Sequence, residues 1–129
     1  MATQQTTVTI ARQPPASVQR SSTLAPGVKA RVQIKRHGSL HHDRGSISAT
    51  AAVLDMNDNY IAFSHYGGHQ ETSRSTWTAG EQAYVDFPFS NLRIHTTGTF
   101  RLRVSILHSG SDGAEVLGQV DSSIFIVVD

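Results

Sequence analysis

The sequence predicts an all-β fold, an antiparallel sandwich, and three observations predict it. Apolar and polar residues alternate with period two through several runs, turn residues punctuate the chain at roughly even spacing, and Thr, Ser and Val are abundant. Strict alternation turns one set of side chains toward a core and the other toward solvent, and β-branched residues suit a pleated, half-buried surface. No stretch carries apolar residues at i, i+3, i+4 and i+7 without glycine or β-branched residues interrupting it, so no amphipathic helix is predicted.

Taken in order, Thr7-Val8-Thr9-Ile10-Ala11 alternates and forms the first predicted strand. Val28-Lys29-Ala30-Arg31-Val32-Gln33-Ile34-Lys35 is the second, with Lys29, Arg31 and Lys35 on one parity and therefore on one solvent face. Less regular strands are predicted at 46–54, 60–63, 82–87 and 123–128. The clearest alternation is Thr99-Phe100-Arg101-Leu102-Arg103-Val104-Ser105-Ile106, which should bury Phe100, Leu102, Val104 and Ile106 and leave Arg101 and Arg103 wet. Turn signals separate these runs at Pro14-Pro15, Pro26-Gly27, His37-Gly38, Asp43-Arg44-Gly45, Asn57-Asp58-Asn59, Gly67-Gly68, Thr97-Gly98 and Ser109 to Gly113. The last of these precedes Val116-Leu117 and reads as a hairpin with a longer loop. The segment 64–80 reads as a loop with a short strand around Thr76-Trp77-Thr78, and Trp77 as a plug for one end of the core. Seven or more short strands at this spacing are the signature of an immunoglobulin-like sandwich.

Composition bounds the function. The 129 residues are the size of a single domain, taken as 1–129, and 38% hydrophobic against 16% charged is too apolar for a disordered chain. No run approaches the roughly 20 apolar residues of a membrane-spanning helix. The start Met1-Ala2-Thr3-Gln4-Gln5 lacks the basic and apolar regions of a signal peptide. There is no cysteine, hence no disulfide framework and no thiolate metal site. These features favour a cytosolic or nuclear place of work, with no membrane as a partner.

The formal charge of +1 conceals a division. Residues 1–44 hold Arg12, Arg20, Lys29, Arg31, Lys35, Arg36 and Arg44 against Asp43 alone, whereas residues 45–129 hold four arginines against nine carboxylates. Three of the seven histidines, His37, His41 and His42, join the basic part. One positive region able to meet an anionic partner is one reading; a solvated strand face is the other.

Catalytic chemistry finds no support. His41 and His42 would point to opposite faces of a strand, and no HExxH or paired CxxC fixes a metal geometry. No GxSxG elbow is present, and Tyr66-Gly67-Gly68-His69 lacks the Lys-Ser/Thr and helix of a phosphate loop. The acids Asp55, Asp58, Glu71, Glu81 and Asp86 are scattered over predicted turns and form no glycosidase pair. The chain is expected to be no enzyme, to use no cofactor and no metal, and to take no small-molecule substrate. A ligand-binding sandwich built around Trp77, Tyr66 and His69 is the most distant alternative.

Two patches resemble the velvet family of fungal regulatory proteins. Ile10-Ala11-Arg12-Gln13-Pro14-Pro15, followed by Leu24-Ala25-Pro26-Gly27-Val28, is similar to the family's Arg-Gln-x-Pro strand end and the Pro-rich strand start that follows it. Phe87-Pro88-Phe89-Ser90-Asn91-Leu92-Arg93-Ile94, then Gly98, then Phe100-Arg101-Leu102-Arg103-Val104-Ser105-Ile106-Leu107, is similar to its Phe-x-Asp-Leu-x-Val, Gly, Tyr-Arg-Leu-Arg-Phe-x-Leu signature, with Asn91 where the family has Asp. The resemblance implies a Rel-homology-like version of the immunoglobulin-like sandwich. It further implies sequence-specific DNA binding, homo- or heterodimerisation with velvet-type proteins, and control of development, sporulation and secondary metabolism in the nucleus, with the cytoplasm as a second location. Arg12 and Arg20 carry over by motif position, Arg20 being the lone cation in a loop that the family fills with lysine and arginine. Lys29, Arg31, Lys35, Arg36 and Arg44 join them as DNA-contact candidates through charge and parity alone. A β-sandwich protein-interaction module without DNA binding, using an edge strand or the 64–80 loop, is the alternative.

Overall fold

A computed structural model describes residues 4–36, 46–68, 70–74, 82–110 and 113–129. The chain is an antiparallel β-sandwich of immunoglobulin-like type, built from β1 (Gln4–Arg12), β2 (Ser17–Gln19), β3 (Val28–Arg36), β4 (Ser46–Leu54), β5 (Tyr66–Gly67), β6 (Gln70–Arg74), β7 (Gln82–Phe89), β8 (Arg93–Ile94), β9 (Gly98–Gly110), β10 (Gly113–Asp121) and β11 (Phe125–Val128). One sheet has the order β1-β3-β7, the other β2-β11-β9-β4-β6 with β10 also on β9, and β5 and β8 form a small third ladder.

Alternation places the core. Val28, Ala30 and Val32 of β3 face Ala49, Ala51 and Val53 of β4 and Phe100, Leu102, Val104 and Ile106 of β9 within one buried cluster, as the periodicity predicts. Phe87, Phe89 and Phe125 are its largest members, and Phe100 packs on Phe125 with ring centroids 6.3 Å apart at 51°. Burying each such ring contributes about 1.5–3 kcal/mol. Arg101 and Arg103 alternate with this set on the outer face.

β9 is the spine. One of its edges pairs with β4 throughout, from Ser109 opposite Ser46 to Arg101 opposite Leu54. The other edge is shared, Gly98 to Phe100 pairing with β11 and Arg103 to Gly110 with β10. Buried Ser122 fills the break between these partners. Its backbone N–H donates to Leu102 O at 2.8 Å and its Oγ accepts from Leu102 N at 2.9 Å, so the ladder loses no bond where the strands change over. The two sheets close against each other where β10 passes β1: a Cβ on Gly118 would stand 2.8 Å from Val8 Cγ2, and the β9–β10 register shifts at the same place.

Three expectations change. The run at 60–63 is no strand: Tyr60 forms a single bridge with Leu54, Ile61 N donates to Val53 O at 2.9 Å, and the chain turns away through a 3-10 turn at Phe63–His65. Among its described residues, the segment 64–80 holds two strands, β5 and β6, of which β6 reads Gln-Glu-Thr-Ser-Arg and pairs with β4 at the sheet edge. The hairpin after Ile106 is tighter than the turn signal suggests, with Gly110 already opposite Gly113. Trp77 with its neighbours Thr76 and Thr78, and His37, His41, His42 and His69, lie outside the described residues.

Candidate functional site

Arg12 closes the end of β1, where the ladder to β3 slips by one residue. Its Nε donates to Gly27 O at 2.6 Å, so this half-buried guanidinium ties the β1 end to the turn entering β3. Lys29 stands opposite Arg12 on one side and Pro88 of β7 on the other. Two residues on, Arg31 grips Asp86 across the ladder with Nε at 2.8 Å and a second nitrogen at 3.2 Å. That bidentate bond, with the nearby charges of Arg31 and Lys29, holds the Asp86 carboxyl below the usual carboxylate range against a small opposing push from burial. Arg20 leaves β2 beside the end of β11, donates its backbone N–H to Val128 O at 2.7 Å, and pairs its guanidinium with Asp129 at 2.7 Å. Lys35 and Arg36 continue β3 and fall on opposite parities, opposite Gln5 and Gln4 of β1. Arg44 and the side chains of Lys35 and Arg36 lie outside the described residues.

Six of the seven sequence candidates are thus on strands or strand ends, and the structure brings Arg12, Arg20 and Lys29 to one seam with Arg31 on the adjoining face of β3. The segments 20–29 and 88–95 run side by side there. Lys29 is opposite Pro88, Leu24 N donates to Leu92 O at 3.0 Å, Thr23 bridges Arg93, and Ser21 N donates to Ile94 O at 2.8 Å. The seam contains groups the sequence reading passed over. Arg93 donates to Ser21 O at 3.2 Å, and the Ser21 hydroxyl pairs with His95 Nδ1 at 2.9 Å. The backbone N–H of His95 in turn donates to His65 O at 2.8 Å.

Along this seam and the adjoining face of β3 stand five cations, Arg12, Arg20, Lys29, Arg31 and Arg93, with two carboxylates among the described residues, Asp86 and Asp129. The surplus of three arises because residues 1–42 and 87–111 contain no acid at all. A row of fixed positive charge on exposed loops and strand ends attracts polyanions and can neutralise phosphates.

Arg101 and Arg103 are occupied. Arg103 clasps Asp121 with Nε at 2.8 Å and a second nitrogen at 3.1 Å, reaches Tyr60 Oη at 3.1 Å, and lies 5.9 Å from the Tyr60 ring centroid. Arg101 shares Asp121 at 3.0 Å and also bonds Asp58. This quartet is neutral in sum. Beside it a cleft of about 390 Å³ is lined by Ala52, Tyr60, Ile61, Ala62 and Tyr66. Tyr66 is buried in the core cluster as well as lining this cleft, and Trp77 and His69, its companions in the ligand alternative, lie outside the described residues. Among the described residues no three His, Asp or Glu side chains gather in a way that could hold a metal ion, and no helix is long and apolar enough to cross a membrane.

No family model and no curated protein matches the chain. Among solved structures it is similar to Spo0M, a sporulation control protein from Bacillus subtilis, with a TM-score of 0.45 and 12% identity over 98% of this chain. The match spans 49% of the Spo0M chain, about half its length. It is also similar to the Salmonella SafD adhesin, with a TM-score of 0.41 and 12% identity over 100% of both chains. Likeness at this identity concerns the fold alone.

Proposed function

We propose that this chain is a velvet-type regulatory domain that engages duplex DNA through the seam and works in the nucleus as a homo- or heterodimer controlling fungal development and secondary metabolism. The sequence support is the pair of velvet-like patches. The observation that carries the DNA reading is the surplus of three cations where segments 20–29 and 88–95 meet. Arg31 is paired with Asp86 and Arg20 with Asp129, so the surplus lies with Lys29 and Arg93, which supply phosphate contacts, and with Arg12, which adds its charge while holding the seam in shape. Each phosphate neutralised contributes about −0.9 to the slope of log K against log salt. A surplus of three therefore gives a slope near −2.7, roughly a 40-fold loss of affinity between 50 and 200 mM salt.

A mobility-shift titration against pooled random duplexes at those two salts tests this. Binding with that slope, and enrichment of a defined site at the higher salt, supports the proposal; no binding at the lower salt refutes it. A second reading rests on Ile124, Ile126 and Val128, which are 51%, 47% and 41% exposed and line one face of β11 and the turn before it. That apolar stripe favours a protein-interaction module, and failure of DNA binding together with concentration-dependent sedimentation would move the function there.

A further inference from the structure

We propose that Ser21, Arg93 and His95 form a built subsite for a single phosphate group at one end of the seam. The proposal deepens the DNA reading and rests on it for the source of the phosphate, a diester of the duplex backbone. Ser21 is held at three points: its N–H by Ile94 O, its carbonyl by Arg93 and its hydroxyl by His95 Nδ1. It adopts a positive φ of 66°, a conformation a serine keeps only when its surroundings impose it.

The consequence lies in what those bonds leave over. Arg93 spends one terminal nitrogen on Ser21 O, so the rest of its fork points donors elsewhere. His95 spends Nδ1 on the serine, which leaves Nε2 as its nitrogen for a ligand. Both side chains are exposed, and backbone pairing through Ile94 and His65 fixes where they start. No ion pair within the described residues engages Arg93, and the carboxylate bordering this end, Asp129, is bonded to Arg20. Arg93 and His95 stand two residues apart in one segment with both side chains exposed, and a planar guanidinium beside an imidazole suits the tetrahedral oxygens of a phosphate.

The test uses the full chain, isotopically labelled, titrated with inorganic pyrophosphate and separately with a short duplex at equal ionic strength. The Arg93 Nε–Hε and His95 ring resonances are read in each arm. Both sets should move and saturate, and Arg93→Ala should weaken each ligand about tenfold or more while the chain stays folded, its urea midpoint falling by no more than the loss of the single exposed bond to Ser21 O accounts for. Arg93→Lys should retain the salt slope and lose affinity, because it keeps charge without the fork. Shifts with pyrophosphate and none with duplex support the subsite and reject DNA as its source. Duplex binding that leaves Arg93 and His95 unmoved rejects the subsite while the DNA reading stands. Silence of both residues in both arms, or wild-type affinity in a stable Arg93→Ala variant, overturns the proposal.

Discussion

Replacing Gly68 with alanine should unfold much of the margin by which this domain is stable, whereas the same change one residue earlier should not. Gly68 has a φ of +75°, where an L side chain costs about 1–2 kcal/mol. A Cβ there would also lie 2.2 Å from Asn91 O, 2.4 Å from Asn91 C and 2.8 Å from Leu92 N. All three are backbone atoms, so segment 91–92 must retreat. Retreat strains the bond from Leu24 N to Leu92 O and the two-residue β5–β8 ladder, in which Gly67 faces Arg93. Losing two such bonds adds about 1–3 kcal/mol. The expected total is about 2–5 kcal/mol, a large share of the ~5–15 kcal/mol typical of a domain. In urea this moves the midpoint by roughly 2 M for a slope of about 1–3 kcal/mol/M. A Cβ on Gly67 meets nothing within 4 Å, so Gly67→Ala should leave stability unchanged or raise it by up to about 1 kcal/mol. Equal urea midpoints for the two variants would refute the reasoning.

Two further outcomes follow from single contacts. Ser122→Ala removes the acceptor of the buried Leu102 N–H at the changeover between β10 and β11, and should cost about 1–3 kcal/mol, with the Leu102 amide losing hydrogen-exchange protection; an unchanged exchange rate would refute the role. Asp121 has a carboxyl pK held low first by the Arg103 bond and then by Arg101, against burial. Its contribution to stability is therefore present above the unfolded value near 3.9 and is lost as pH falls through the lower folded value. Wild type should lose stability below about pH 4 more steeply than Asp121→Asn, with Asp86 and Asp55 titrating in the same direction in both proteins; parallel urea-midpoint profiles would contradict this.

How much of the fold was legible depended on which strands carry the core. β3 and β9 place an apolar residue at every second position, and burial follows that pattern through Val28 to Val32 and Phe100 to Ile106, whereas the less regular β4 buries Ala49, Ala51 and Val53 and also Leu54 beside it. β6 has no such pattern, since an edge strand can be polar throughout when one neighbour supplies its ladder. β2 is legible only through its distant partner, because three residues from Ser17 to Gln19 become a strand by lying parallel to Ile126 to Val128. The turn at Asp55 was readable from its composition, and its carboxylate accepts the N–H groups of Asn57 and Asn59 at 2.8 and 3.0 Å as an Asx turn requires.

The site divides along the same line. Charge counting found Arg12, Arg20, Lys29 and Arg31 because they lie within 20 residues of one another, but it could not tell the guanidinium that braces a turn from the one that grips Asp86 or Asp129. Those partners stand 15, 55 and 109 positions away in the chain. Arg93 and His95 escaped because they fall in the half with more acids than bases, so net charge hid them. The signal that could have found them is the acid-free stretch from 87 to 111, a gap in one sign of charge rather than a cluster of the other. Once β3 pairs with β7, that gap is carried directly beside the acid-free segment 1–42, and two unremarkable stretches become one positive surface. Gly68 bears on the same surface without a polar side chain to offer, because the close approach it permits to segment 91–92 sets where Arg93 begins.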